Sequence, residues 1–180
     1  MNKVQEIVDG LPNIESATQI TTDSEITEAK IKSELEDFNK KLKVVQEFLD
    51  QRNQRYMLIG SGALLSCGIP LQRFCHDIDF EVIEDDDNAN IYKMLQDATQ
   101  GENEEYKYLK MDGKRMPFMF TYKGVKVNIW LVKKFNHEQY VWKNNMKVAT
   151  VYSVLKKKMA LRRVKDFQDL QYIVKTFMEL

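Results

Sequence analysis

The chain has 180 residues, 43% hydrophobic and 30% charged, an ordinary balance for a soluble globular protein and enough for one domain with a real core. Lys plus Arg equals Asp plus Glu at 27 each, so net charge argues neither for nor against a nucleic-acid partner and local patches must decide. Two cysteines, Cys67 and Cys75, are too few for a disulfide framework and lack zinc-ligand neighbours. They read as reduced thiols of a cytoplasmic protein. The first residues carry no long apolar segment of secretory type, and no window has the apolar length of a membrane span, so no membrane partner is expected.

Residues 1–23 read as an N-terminal arm, broken at Gly10-Leu11-Pro12 and polar from Thr18 to Ser24. Residues 24–180 read as a single domain. From Ser24 to about Gln54, Ile31, Leu35, Phe38, Leu42, Val45 and Leu49 recur at steps of four and three. That spacing predicts a long helix with one apolar stripe. The stripe can cover the chain's own sheet, which is the preferred reading, or serve as a partner helix, because it is also a short coiled-coil seam.

Tyr56–Ile59 predicts a short buried strand that stops at Gly60-Ser61-Gly62. A helix over Ala63–Cys67 follows, ended by Gly68-Ile69-Pro70. Next comes Asp77-Ile78-Asp79-Phe80-Glu81-Val82. Side chains of a strand alternate between faces, so Asp77, Asp79 and Glu81 share one face and Ile78, Phe80 and Val82 the other. The apolar face can enter a core. The acidic face crowds negative charge that solvent or a cation must relieve, and hard oxygen ligands at this spacing suit Mg²⁺. Glu84–Asp87 reads as a solvated turn and 88–98 as a helix. Strands are predicted at 106–111, 116–122 and 125–131, forming a half-buried antiparallel meander. In the last strand Lys126, Asn128 and Trp130 face away from Val125, Val127, Ile129 and Leu131. Residues 133–150 are mixed, with aromatics at Phe135, Tyr140 and Trp142. Ser153 is expected to cap a helix through Leu161, and Asp166 to begin another through Met178. The architecture implied is α/β (α+β): a small mixed sheet flanked by helices, with a long N-terminal helix.

The Gly-Ser turn, the spacer and the Asp-x-Asp strand resemble the nucleotidyltransferase superfamily of DNA polymerase beta type. There an apolar residue, Gly, then Gly or Ser precede a spacer and Asp-x-Asp or Asp-x-Glu. The resemblance is nearest to the abortive-infection, AbiEii-like toxin branch. Arg73 stands four residues before the first Asp, as is frequent there. Lys158, Arg163, Lys165-Asp166 and Asp169 reproduce that branch's C-terminal order. The resemblance covers roughly residues 56 to 175.

It implies the nucleotidyltransferase fold and transfer of a nucleoside monophosphate from an NTP to an acceptor that is RNA, protein or a small molecule. It also implies Mg²⁺ or Mn²⁺ at Asp77 and Asp79, with two ions about 3.5–4 Å apart in such sites. Gly60 and Ser61 would receive phosphate on their backbone N–H groups. Lys158, Arg163 and Lys165 would contact phosphates, whereas Lys156, Lys157 and Arg162 read as solvated. Arg73 would hold the acidic strand or touch phosphate, and an antitoxin is a possible partner. Asp166 and Asp169 sit near the site in that branch. Their structural readings are preferred: a helix N-cap for Asp166 and neutralisation of an Arg for Asp169. His76 reads as a polar flank of the strand.

One position departs from the pattern. Where the family carries its third carboxylate, this chain has Val127-Asn128-Ile129. Asn128 offers a carbonyl oxygen without charge and cannot act as a base. Three readings are open: an enzyme with a weakened metal site, substitution by Glu81, or a degenerate domain that binds nucleotide or a partner.

Overall fold

The computed structural model describes residues 28–69, 71, 75–84, 117–137 and 139–178, with side chains between 32 and 174. The N-terminal arm, Arg73, Asp85–Asp87, the expected helix 88–98 and the expected strand 106–111 lie outside the described residues.

Helix α1 spans Glu28–Asp50. Phe38, Leu42, Val45 and Leu49 are buried in the core cluster as the stripe predicts, while Leu35 is half-buried. Phe48, absent from the predicted stripe, is also buried, with its ring centroid 4.6 Å from that of Tyr122 and 6.1 Å from that of Phe120. The stripe therefore faces this chain's own sheet. The helix ends before Gln54: Asn53 takes a left-handed φ of 51°, and the Gln54 N–H donates back to the Leu49 carbonyl at 3.1 Å.

The sheet has six strands. In chain order they are β1 (Tyr56–Leu58), β2 (Asp77–Ile83), β3 (Phe118–Tyr122), β4 (Val125–Val132), β5 (Tyr140–Lys143) and β6 (Met146–Ala149), and across the sheet they run β3-β4-β2-β1-β6-β5. β2 pairs antiparallel with β1 and parallel with β4, and β1 pairs parallel with β6. Of the expected meander, β3 and β4 are antiparallel as predicted and the strand 106–111 lies outside the described residues; the other edge of β4 pairs in parallel with the acidic strand. Two tight turns follow from local chemistry. Lys123-Gly124 and Asn144-Asn145 all have positive φ, the conformation that two-residue hairpins demand and that Gly and Asn tolerate. The second turn makes residues 140–149 a hairpin, which the aromatic content of that stretch did not reveal.

Short helix α2 (Gly60–Ser66) follows β1 directly, and Gly68, at φ +79°, ends it. Helices α3 (Val151–Leu161) and α4 (Val164–Met178) close the chain. The cap of α3 is Thr150, whose hydroxyl accepts from the Ser153 N–H at 3.2 Å, so Ser153 supplies the capped amide and not the cap. Arg162, left-handed at φ 53°, turns the chain from α3 into α4. Ile78, Phe80 and Val82 join Leu58, Val127 and Ile129 in the core on the α1 side of the sheet. Asp77 and Asp79 are left on the other face.

Candidate active site

Two adjacent strands build the cluster. The parallel register sets Asp79 opposite Asn128 and Asp77 opposite Lys126. Equal alternation on both strands then puts Asn128 on the acidic face, as predicted. Its Nδ2 donates to Asp77 Oδ2 and to Asp79 Oδ1, each at 2.9 Å. One neutral amide thus bridges two carboxylates.

The turn after β1 abuts the same acids. The Ile59 N–H donates to the Asp79 carbonyl at 3.0 Å. Gly60 has φ +63°, and a Cβ there would meet Asp79 Oδ2 at 2.9 Å. Two independent constraints therefore require glycine: the left-handed backbone and the closeness of a carboxylate. Burial pushes the Asp79 carboxyl above the usual aspartate range. The Asn128 hydrogen bond opposes this, the charge of Asp77 adds to it, and the charges of Lys165 and Arg163 oppose it. Both C-terminal cations thus lie within electrostatic reach of the acid cluster.

Beside the turn, Lys158 is buried. Its Nζ donates to Ser61 Oγ at 3.4 Å, to Asp166 Oδ1 at 3.3 Å and to Asp169 Oδ2 at 2.7 Å. Arg163 holds Asp166 through Nε at 2.6 Å and a terminal nitrogen at 3.1 Å. Burial acts to raise the Asp166 carboxyl, but the hydrogen bonds and charges of Arg163 and Lys158 carry it below the usual range. Hydrogen bonding to Asp166 in turn raises the Arg163 guanidinium. Asp166 lies inside the first turn of α4 and serves as an ion-pair partner instead of the expected N-cap. Asp169 pairs with Lys158 at 2.7 Å, and its charge also acts on Arg163, the kind of residue it was expected to neutralise. The structure thus brings Gly60, Ser61, Asp77, Asp79, Asn128, Lys158, Arg163 and Lys165 to one region.

Glu81 does not join the pair of aspartates. It accepts from the Asn136 backbone N–H and from Asn136 Nδ2, both at 2.8 Å, and lies 3.3 Å from His137 Nδ1. Burial would raise this carboxyl, yet hydrogen bonds from His137 and Asn136 hold it below the usual glutamate range. Its substitution for the missing third carboxylate is therefore not seen. Asn136 and His137 carried no signal in the sequence, since they meet Glu81 only through a loop some 55 residues away. Among the described residues, no group of three or more His, Cys, Asp or Glu side chains gathers into a metal site. The donor set at β2 is two hard carboxylates and one amide. That set fits Mg²⁺, which commonly takes one or two protein carboxylates and completes its shell with water and phosphate.

No family model matches the chain. No curated protein matches it either. Among solved structures, the chain is similar to a candidate nucleotidyltransferase (TM1012) from Thermotoga maritima, at 17% identity and TM-score 0.48, over 79% of this chain and 95% of that one. It is similar also to an antigenic nucleotidyltransferase-like protein from Paracoccidioides brasiliensis, at 16% identity and TM-score 0.46, over 79% of this chain and 74% of that one.

Proposed function

We propose that this chain binds a nucleoside triphosphate with Mg²⁺ or Mn²⁺ at Asp77 and Asp79 and transfers the nucleoside monophosphate to an acceptor. The observation that carries the reading is the meeting of Asp77, Asp79 and Asn128 across β2 and β4, against the glycine turn at Gly60. Asp77 and Asp79 would hold the metal, which supplies charge stabilisation when bound. The backbone of Gly60-Ser61 would receive phosphate oxygens. Lys165 and Arg163, whose charges already act on Asp79, would offset the triphosphate. An acceptor hydroxyl attacks the α-phosphorus, the bond to the β-phosphate bridging oxygen breaks, pyrophosphate leaves and the hydroxyl proton passes to water. The C-terminal order Lys158, Arg163, Lys165-Asp166, Asp169 favours the abortive-infection toxin branch, with an antitoxin as partner. RNA, protein and small molecules are the acceptor classes. No described helix is long and apolar enough to cross a membrane, and we assign the chain to the cytoplasm.

A second reading has its own observation. The Asn128 amide already satisfies one oxygen of each aspartate. A domain that binds nucleotide without transferring it would carry such a neutral bridge. Incubation with each α-labelled NTP, Mg²⁺ and cell RNA or protein separates the two. Label on an acceptor, lost in Asp77→Ala with Asp79→Ala, supports transfer. A rise in melting temperature with NTP and Mg²⁺ but no transferred label supports binding alone.

A further inference from the structure

The β5–β6 hairpin carries a surface that the acid cluster does not use. β5 is an edge strand, and all four of its residues are exposed. Tyr140 and Trp142 lie two apart, hence on one face, with ring centroids 6.2 Å apart and planes nearly perpendicular. Trp142 is 64% exposed. Exposed clustered aromatics of this kind mark recognition surfaces more than folding cores. Lys147 stands directly across from Trp142. Its ammonium lies 4.6 Å from the Tyr140 ring centroid, 5.1 Å from Phe135 and 5.6 Å from Trp142. Positive charge is thereby fixed within an aromatic rim.

A cavity of about 530 Å³ opens beside this rim, and its lining includes four cations, Arg55, Lys133, Lys134 and Lys147, against one carboxylate, Asp50. Asp50 accepts from the Tyr56 hydroxyl at 2.5 Å, and Lys133 reaches Glu84 at 3.7 Å. Among the described lining residues the cations outnumber the carboxylates, in a chain whose net charge is zero. Register ties this surface to the acids. Trp142 pairs with Lys147, Lys147 with Met57 and Met57 with Glu81, one row across four strands. Glu81 shares its face with Asp77 and Asp79. At about 4.8 Å between strands and about 3.3 Å per residue, the backbone of Trp142 is roughly 16 Å from that of Asp79, on the same sheet face.

We propose that this face docks a single-stranded nucleic acid, with bases stacking on Trp142 and Tyr140 and phosphates meeting Lys134 and Lys147. An unpaired base supplies the π-face that an exposed indole can cover, and its phosphate supplies an anion for the lysines beside it. A duplex hides its base faces, and an acidic peptide would leave the aromatic platform unused. The proposal stands on the hairpin and the lysines beside it and holds whether or not the aspartates transfer nucleotides.

The test is fluorescence anisotropy of a short labelled oligouridylate titrated with the full chain, at several salt concentrations. Binding that weakens with salt is expected. Trp142→Ala should weaken it roughly five- to hundredfold, the effect of losing one stacked base. Trp142→Phe should recover most of that loss, and Lys134→Glu should weaken binding at low salt. Asp77→Ala with Asp79→Ala should leave it in place, which separates this surface from the metal site. Trp142 and Lys134 are exposed, and unchanged circular dichroism and melting temperature confirm the fold of each variant. Absence of oligouridylate binding, or binding indifferent to Trp142→Ala and Lys134→Glu, would overturn the proposal. So would equal competition by duplex, by polyglutamate or by uridine monophosphate. A dimer in sedimentation that Trp142→Ala abolishes, with no oligouridylate bound, would assign the edge to a second copy of the chain and overturn it as well.

Discussion

Replacing Asn128 by Asp changes almost no volume and reverses the electrostatics of the cluster. The amide now donates to two carboxylates at 2.9 Å each. Hydrogen bonds to charged groups contribute about 1.5–3 kcal/mol apiece, so roughly 3–6 kcal/mol of interaction is at stake. A third ionised carboxylate would add repulsion of about 4 kcal/mol per pair at 4 Å and an effective dielectric constant near 20. The cluster escapes most of that repulsion by taking up a proton, because burial already holds Asp79 above the usual range. A protonated carboxyl at 128 can restore one of the two donations. The net loss in metal-free protein is then about 2–4 kcal/mol, which for a chain of this size lowers the melting temperature by roughly 4–16 °C. A divalent cation relieves three carboxylates more than two, so Mg²⁺ should stabilise the variant more than the natural chain. Thermal melts with and without Mg²⁺, for both proteins, provide the assay. A variant as stable as the natural chain without Mg²⁺ would refute the bridging role of Asn128. A destabilised variant that Mg²⁺ does not rescue would refute the metal site.

Leu42→Ala should cost about 2–5 kcal/mol in denaturant unfolding, because Leu42 is buried in the contact of α1 with the sheet. Lys158→Met should cost about 3–5 kcal/mol, since it leaves Asp166 and Asp169 buried without their shared cation. Asp79→Asn should stabilise the metal-free protein at neutral pH. The folded pKa of Asp79 is raised, so the folded state holds that proton more tightly than the unfolded state, and stability falls as pH rises from the usual aspartate range through the raised value. The substitution should remove that fall while abolishing metal binding, as stability measured against pH would show.

The alternation Asp77-Ile78-Asp79-Phe80 was legible because period two is a local property of a strand. The same logic put Asn128 on a polar face before its partner strand was known. The long helix was legible from its stripe, though Phe48 extended the buried face beyond a strict seam. The parallel pairing of β2 with β4 was not legible, because strand order depends on contacts far apart in sequence. The β5–β6 hairpin hid behind Asn144-Asn145, a turn signal weaker than the Gly-containing pairs. Asp166 looked like a cap because it stands at a helix start. Only the fold shows Lys158 and Arg163 converging on it, eight and three residues back in the chain. The Glu81–His137 contact is likewise tertiary and left no trace in local pattern.

The proposed function requires Asp77 and Asp79 to form one metal-dependent nucleotide site. Isothermal calorimetry with Mg²⁺ in the presence of a non-hydrolysable NTP analogue tests it most directly. Saturable binding is expected for the natural chain and none for Asp77→Ala with Asp79→Ala, the fold being intact by circular dichroism. Equal binding by the double variant would contradict the claim.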